Sequence, residues 1–365
     1  MQRKAIVFGV TGQDGSHLTD LLLSKDYKVV GVARRCSVDT TERIKDRMGC
    51  PHFHLVHGDI TDVHSVIGIL KENEDVDEVY NLAAQSHVGI SFKQPGLTWD
   101  ITGKGCLNIL QSIVDLGIQC KFYQASSSEM FGDSYSVDEH GNKYQDENTK
   151  FLPQSPYAIA KVAAHYIVRL FREAYGLHAS AGILFNHEGE RRGENFVTRK
   201  ITKWIAGYQR WLERFHTSHN DAALAFGDNE IYLRGRLDND EGFEYPKLRL
   251  GNLDACRDWG YAGDYVEAMW AMLQQEYPDD YVICTGKTHS VREFLDYAFG
   301  YLGISDWSNL VTIDPEFYRP AEVDYLCGNA SKAKNRLGWV PKHGLEELVQ
   351  TMLEHDLDEN LQNIP

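Results

Sequence analysis

Three glycines in GVTGQDG stand between an apolar run of strand type, Lys4 to Phe8 (KAIVF), and leucines at helical spacing, Leu18, Leu21, Leu22 and Leu23. Gly9, Gly12 and Gly15 let the backbone turn tightly and approach a ligand at the start of a helix, where N–H groups lack intrahelical partners. Such a strand–turn–helix unit points to an α/β fold and, with Gln13 and Asp14 inside the turn, offers a berth for the pyrophosphate of a dinucleotide. The spacing is GxxGxxG, not the commoner GxGxxG, and an ordinary strand-to-helix turn uses glycines too.

The second strand, Lys28 to Val32 (KVVGV), runs into Ala33, Arg34, Arg35, Cys36 and Ser37. An acidic residue at this tip binds the ribose of NAD, whereas arginine accommodates the extra phosphate of NADP. No carboxylate stands here, so NADP is the expected cofactor; a solvated turn is the other reading of two arginines. Asp59 and Ile60 in HGDITD follow a third apolar strand. Asn81 to Ser86 (NLAAQS), with Leu82, Ala84 and Gln85, follows a fourth. Small residues at the carboxyl ends of parallel strands leave room for a ligand, although tight helix packing selects them as well.

Strands near 4–9, 28–32, 53–57, 78–82, 121–125 and 179–184 alternate with helical stretches. This alternation predicts right-handed crossovers and a Rossmann-type, doubly wound parallel sheet, with a smaller C-terminal substrate-binding lobe. After Leu184 the pattern changes. Residues 196–214 read as a helix, Glu213 to Pro246 is polar and rich in Asp, Asn and Gly, and LRLGN (248–252) reads as a strand. A helix near 264–277, a buried strand over 281–285 and helices near 290–303 and 345–357 follow. The expected division is a nucleotide-binding domain over 1–185 with a returning segment near 255–285. The expected lobe comprises 186–254 and 286–365, with an insertion near 211–246.

At 365 residues the chain can bury a large core, and its formal charge of −16 argues against nucleic-acid partners and anionic membranes. No apolar run approaches a membrane span and no leader pattern opens the chain, so the cytoplasm is the expected location. Seven cysteines are odd in number and lack CxxC spacing, and fifteen histidines show no ligand pair. Neither disulfides nor a metal site is expected.

The chemistry concentrates in QASSSEMFG (124–132) and SPYAIAK (155–161). Ser155 and Pro156 open a helix on which Tyr157 and Lys161 lie four apart on one face. An ammonium beside a phenol favours the phenolate and prepares a base. A YxxxK pattern is common in helices; here it follows a nucleotide-binding half and a strand end that carries Ser127 and Glu129.

With NLAAQSHVGISF, GILFNHEGERRGENFVTRK, LGNLDACRDWGYAGDYVEAMW and YRPAEVD, these motifs mark the chain. It resembles the extended short-chain dehydrogenase/reductase family, and within it the 4,6-dehydratases of GDP-sugars, along nearly its whole length. The resemblance implies that Gly9, Gly12, Gln13, Asp14, Gly15, Arg34, Arg35, Ser37, Asp59, Ile60, Leu82, Ala84, Gln85, Ser86, Tyr157, Lys161, His187 and Arg192 contact NADP. It further implies that Tyr157, with Ser127 and Lys161, takes the proton of the sugar 4-hydroxyl as hydride leaves C4. Glu129 removes the C5 proton, water leaves C6, and the hydride returns there. Ser86, Ser127, Ser128, Glu129, Tyr157, Asn186, Val197, Lys200, Arg257, Arg319 and Glu322 would meet the GDP-sugar, GDP-mannose or a close relative. A structural pair with Asp258 is the other reading of Arg257. A homotetramer is implied as well.

The sequence departs from the family at Ser127, where threonine is common, at Cys36, Cys256 and Leu97, and in the stretch from about Trp211 to Pro246. The insertion leaves a GDP-manno-heptose as an alternative substrate. An NADP-linked epimerase or 4-keto-reductase, which has no need of Glu129, is another reading. A non-catalytic nucleotide sensor is a further one, against which the intact Ser127, Tyr157 and Lys161 stand.

Overall fold

The structure, a computed structural model, describes residues 2–218 and 245–362. It divides into two compact units. The first comprises 1–187, 257–288 and 320–342, and the second 188–256, 289–319 and 343–365.

The first unit is built on seven parallel strands: β1 (Lys4–Phe8), β2 (Lys28–Ala33), β3 (Phe53–His57), β4 (Glu78–Asn81), β5 (Lys121–Ala125), β6 (His178–Leu184) and β7 (Asp280–Ile283). Their order is β7-β6-β5-β4-β1-β2-β3. Successive side chains of a strand face opposite ways, and β1 shows the result. Ala5 and Val7 join one buried cluster with Leu18, Leu22, Tyr265 and Met269, while Ile6 and Phe8 join another with Ile69, Ile109 and Val168. Both faces of the sheet are therefore covered, as a parallel sheet requires. Helices α1 (Gln13–Ser24) and α2 (Val63–Lys71), with α3 (Gly105–Asp115) and α4 (Pro156–Tyr175), provide much of that cover. The chain winds from β1 outward to β3, then returns to place β4 on the other side of β1. Ligands of such sheets bind at this reversal.

Sequence and structure agree closely on these strands, and the small differences have local causes. β1 stops at Phe8 because Gly9 adopts φ +85°, which no strand continues. The helix expected near 264–277 is α6 (Ala262–Gln274), and it packs beside α1 on the sheet although some 240 residues separate them.

Residues 320–342 belong to the first unit, not to the lobe in which the sequence reading put them. Val323 and Leu326 are buried with Met130, Phe131, Phe185 and Val282. Gln145 N–H donates to Cys327 O at 2.9 Å, Asn329 N–H donates to Gln145 O at 2.9 Å, and Trp339 Nε1 donates to Asp264 O at 2.8 Å. These contacts, distant in sequence, draw the segment back.

The second unit contains α5 (Val197–Ser218), α7 (Val291–Tyr301) and α8 (Leu345–Gln362), with a parallel pair of short strands, Leu248–Leu250 and Val311–Ile313. Asp356, fully buried, forms an ion pair with Arg199 at 2.7 Å and accepts from Thr202 Oγ1 at 2.6 Å, which ties α5 to α8. α5 runs to Ser218, past the end expected near 214, and Tyr208 stacks on Trp211 while Tyr245 packs tilted against both rings. Residues 219–244 of the expected insertion lie outside the described residues.

Candidate active site

Each glycine of the opening turn has its own physical reason. A Cβ on Gly9 would lie 2.8 Å from Ala83 N, and one on Gly15 would lie 2.3 Å from Gly9 O. These two glycines close the turn against the end of β4 and against itself. Gly12 is different. A Cβ there would meet only Gly9 O, at 3.3 Å, and Gly12 stands at the N-cap of α1 with no side-chain cap. The first N–H groups of α1 are thus left to a ligand, and the positive end of the helix favours an anionic one.

Asp14, in the first turn of α1, meets His187 Nε2 at 2.8 Å, while His187 Nδ1 meets Phe185 O at 2.7 Å. Both ring nitrogens face oxygen atoms, which holds the imidazole between the first turn of α1 and the end of β6. Gln13 Nε2 donates to Asp14 at 3.0 Å and to His187 O at 3.1 Å, and Tyr265 stacks on the imidazole at 4.7 Å. Arg43, which sequence reasoning missed, reaches back to donate to Thr11 O at 3.3 Å. No local pattern signals that contact, thirty-two residues away.

Arg34, Arg35 and Ser37 are exposed just beyond β2. Asp59 accepts from Thr61 N–H at 2.9 Å and from Thr61 Oγ1 at 2.8 Å, shaping the turn after β3. Ile60 is buried and packs against Gly105, so its side chain serves the core of the first unit. Leu82 and Ala84 are half-buried past β4. Gln85 accepts from Thr98 Oγ1 at 3.2 Å, and Ser86 is exposed.

At the end of β5, Ser127 Oγ accepts Glu129 N–H at 3.2 Å and caps the short turn Ser128–Met130. Ser127, Ser128 and Glu129 are all buried. Gly132, at φ +53°, closes this loop where a Cβ would lie 1.9 Å from Leu152 O. α4 starts as its sequence dictates: Ser155 Oγ accepts Ala158 N–H at 3.1 Å and Pro156 occupies the first turn. Tyr157 and Lys161 follow on one face, with the ammonium 5.7 Å from the phenol ring centre.

Lys161 is buried and donates to Ala125 O at 2.6 Å. Burial pulls its pKa down from 10.5 to about 8, against the opposing pull of Cys106 and the Asp14 carboxylate. Ala125 O also accepts Gln124 Nε2 at 3.0 Å, and Gln124 Oε1 accepts Asn81 Nδ2 at 2.8 Å. This amide pair links the ends of β4 and β5 beneath the site. The sequence carried one sign of it, polar residues ending two strands that are otherwise apolar.

The remaining expected residues fall in both units. In the first, Asn186 is half-buried and Arg257 meets Glu322 at 3.0 Å. Asp258, the other partner weighed for Arg257, instead accepts Thr285 N–H and Oγ1, Gly286 N–H and Gly328 N–H. In the second, Arg192 pairs with Glu188 at 2.9 Å and covers the Phe196 ring. Val197 opens α5. Lys200 donates to Arg249 O at 2.7 Å with its ammonium 3.6 Å from the centre of the Phe317 ring. Burial, then the nearby Arg249, lowers its pKa. Arg319 is half-buried.

Among the described residues no group of three or more His, Cys, Asp or Glu side chains is placed to hold a metal, and no helix is long and apolar enough to cross a membrane.

The family model for GDP-mannose 4,6 dehydratase matches residues 6–223 and 239–352, leaving a gap inside the expected insertion. GDP-mannose 4,6 dehydratase 1 of Arabidopsis thaliana is 47% identical over 367 residues, covering 97% of this chain and 90% of its own. Among solved structures, dTDP-glucose 4,6-dehydratase from Bacillus anthracis in complex with NAD is similar with a TM-score of 0.75 at 20% identity, over 99% of this chain and 98% of that one. RMD from Pseudomonas aeruginosa, complexed with NADPH, is similar with a TM-score of 0.71 at 20% identity, over 98% of this chain and all of that one. Both share the doubly wound fold.

Proposed function

The chain belongs to the GDP-mannose 4,6-dehydratase family, and from that membership we infer that Ser127, Glu129, Tyr157 and Lys161 dehydrate GDP-mannose to GDP-4-keto-6-deoxymannose. One observation supports the assignment most: Lys161 lies beside the Tyr157 ring while donating to Ala125 O, two residues before Ser127. Base, ammonium and hydroxyl thus meet at one strand end.

A nicotinamide cofactor bound at the glycine turn would supply the hydride chemistry, as acceptor of hydride from C4 of the sugar and donor of it to C6. Gly9, Gly12, Gln13, Asp14 and Gly15 would hold its pyrophosphate at the start of α1. We take it to be NADP, because Arg34 and Arg35 stand exposed past β2 where the ribose phosphate would lie. Fluorescence titration giving tighter binding of NAD than NADP would overturn that choice.

The protein's own groups then divide the proton transfers. The Lys161 ammonium stabilises the Tyr157 phenolate, which takes the proton from the 4-hydroxyl. Ser127 Oγ donates to the 4-oxygen and fixes its position. The ketone formed at C4 acidifies the C5 proton, which Glu129 takes and passes to the departing 6-hydroxyl, releasing water. No net oxidation remains.

Glu129→Gln separates the two halves. Given GDP-mannose, this variant should hold reduced cofactor, visible by its near-ultraviolet absorbance, and release no dehydrated product; normal turnover by it would remove Glu129 from the mechanism. We also propose a homotetramer, which sedimentation as a monomer would refute. We propose a cytoplasmic location, consistent with seven cysteines that form no disulfide, and cell fractionation tests it.

A further inference from the structure

Behind the strand end that carries Ser127 lies a buried polar contact which the mechanism above does not use. His165 sits on α4 four residues after Lys161 and eight after Tyr157, on the same helical face. Its Nδ1 lies 3.0 Å from Ser126 Oγ, and its Nε2 lies 3.7 Å from Asp280 Oδ2 on β7. Ser126 and His165 are both almost wholly buried. Phe151 meets the imidazole edge-on at 5.3 Å and Tyr166 flanks it at 6.1 Å.

A serine, a histidine and an aspartate in this order resemble a hydrolytic triad, but Ser126 Oγ faces the buried imidazole behind the strand end that carries Ser127. The contact works on the chain instead. Ser126 stands between Ala125, whose carbonyl holds the Lys161 ammonium, and Ser127, whose hydroxyl caps the Glu129 turn. Ser126 N–H is bound to Gly182 O at 2.9 Å, so the segment is tied to β6 by its backbone and to α4 by two side chains, Lys161 and His165.

The charged groups that face His165 are Asp280, Arg172 and Arg169, and Arg172 is itself paired with Asp280. Burial, the largest influence, lowers the imidazole pKa, so the ring is neutral at working pH. The Asp280 carboxylate, 3.7 Å from Nε2, favours the tautomer with its proton there, in which Nδ1 accepts from Ser126 Oγ.

We propose that His165 is a positioning residue for the dehydration: through Ser126 it fixes the Ala125–Ser127 segment, and with it the places of Lys161 and the Ser127 hydroxyl. The inference rests on the dehydratase reading of this site. Loss of the imidazole leaves Ser126 Oγ buried without its partner and frees the strand end to shift. Small displacements of a catalytic group are costly in rate.

The test uses the full chain with saturating NADP and measures kcat and KM for GDP-mannose in the parent, His165→Phe, His165→Asn, Ser126→Ala and the Ser126→Ala/His165→Phe double variant. The proposal expects kcat to fall about tenfold or more in His165→Phe and in Ser126→Ala, with KM within about threefold of the parent. The double variant should be no slower than the slower single one. His165→Asn, whose amide stands near the position of Nδ1, should recover most of the rate. A parental kcat in His165→Phe, an asparagine variant no better than phenylalanine, or additive losses would each overturn the proposal. Should His165→Phe not fold, Ser126→Ala decides: a tenfold loss at unchanged KM upholds the proposal and an unchanged kcat removes it. An active parent with indifferent variants removes only this inference, whereas a parent unable to turn over GDP-mannose removes the reading beneath it.

Discussion

Replacing Lys161 by methionine should make the protein more stable while abolishing turnover. The folded pKa of Lys161 is about 8 and its ordinary value is 10.5. Between those pH values the unfolded chain holds a proton that the folded one has released, so stability rises with pH across the window. Below about pH 8 the cost of keeping the ammonium buried is present in full. The gap between the two values corresponds to about 3 kcal/mol. Methionine has similar length and no charge, but it gives up the hydrogen bond to Ala125 O, worth about 1 kcal/mol, while Gln124 still donates to that carbonyl. The expected net gain is about 2 kcal/mol at pH 7, a rise of about 2–3 °C in Tm for a chain of this size. The scan is run without cofactor, because a ligand bound only to the folded state would raise Tm by mass action. The advantage should shrink above pH 8 and be gone near pH 10.5. A Lys161→Met protein that melts below the parent at pH 7, or one whose difference is independent of pH, would refute the burial argument.

On the proposed mechanism, in which the Lys161 ammonium supports the Tyr157 phenolate, kcat/KM of the parent should decline as pH rises through about 8, and a profile flat to pH 10 would contradict this. Gly15→Ala forces a Cβ to 2.3 Å from Gly9 O, so it should lower stability by about 1–3 kcal/mol and weaken binding of NADP and NAD alike, read by melting and fluorescence titration. Removing Arg34 and Arg35 together should weaken NADP about tenfold or more and leave NAD nearly unchanged; equal losses would mean that the pair does not meet the ribose phosphate. Ser127→Ala should lose about 1 kcal/mol of stability from the Glu129 turn and most of kcat, so full activity would exclude the hydroxyl from the chemistry.

Much of the nucleotide-binding half was legible because its signals are local. KAIVF alternates its side chains between two helix layers, Gly9 makes the turn while Gly15 admits the close approach of Gly9 O, and Ser155-Pro156 starts α4 where Tyr157 and Lys161 share a face. What escaped depends on contacts far apart in the chain. Residues 320–342 return to the first unit through Gln145, Asp258 and Asp264, none of which marks them in sequence. α5 continues to Ser218, beyond the end expected near 214, although composition there already reads as polar. In the site, the sequence offered Ser127, Glu129, Tyr157 and Lys161 as candidates, but the layer behind them was hidden. Gln124, Arg43 and His165 are ordinary residues in ordinary elements until the fold sets them against Ala125 O, Thr11 O and Ser126 Oγ.

The central claim, that one bound cofactor carries hydride from C4 to C6 of GDP-mannose, is tested most directly with substrate deuterated at C4. Purified protein with a catalytic amount of NADP should yield a product lighter by one water that keeps the deuterium, now on C6, as read by mass spectrometry. Recovery of unchanged GDP-mannose, or a dehydrated product whose deuterium has been lost to solvent, would contradict the account.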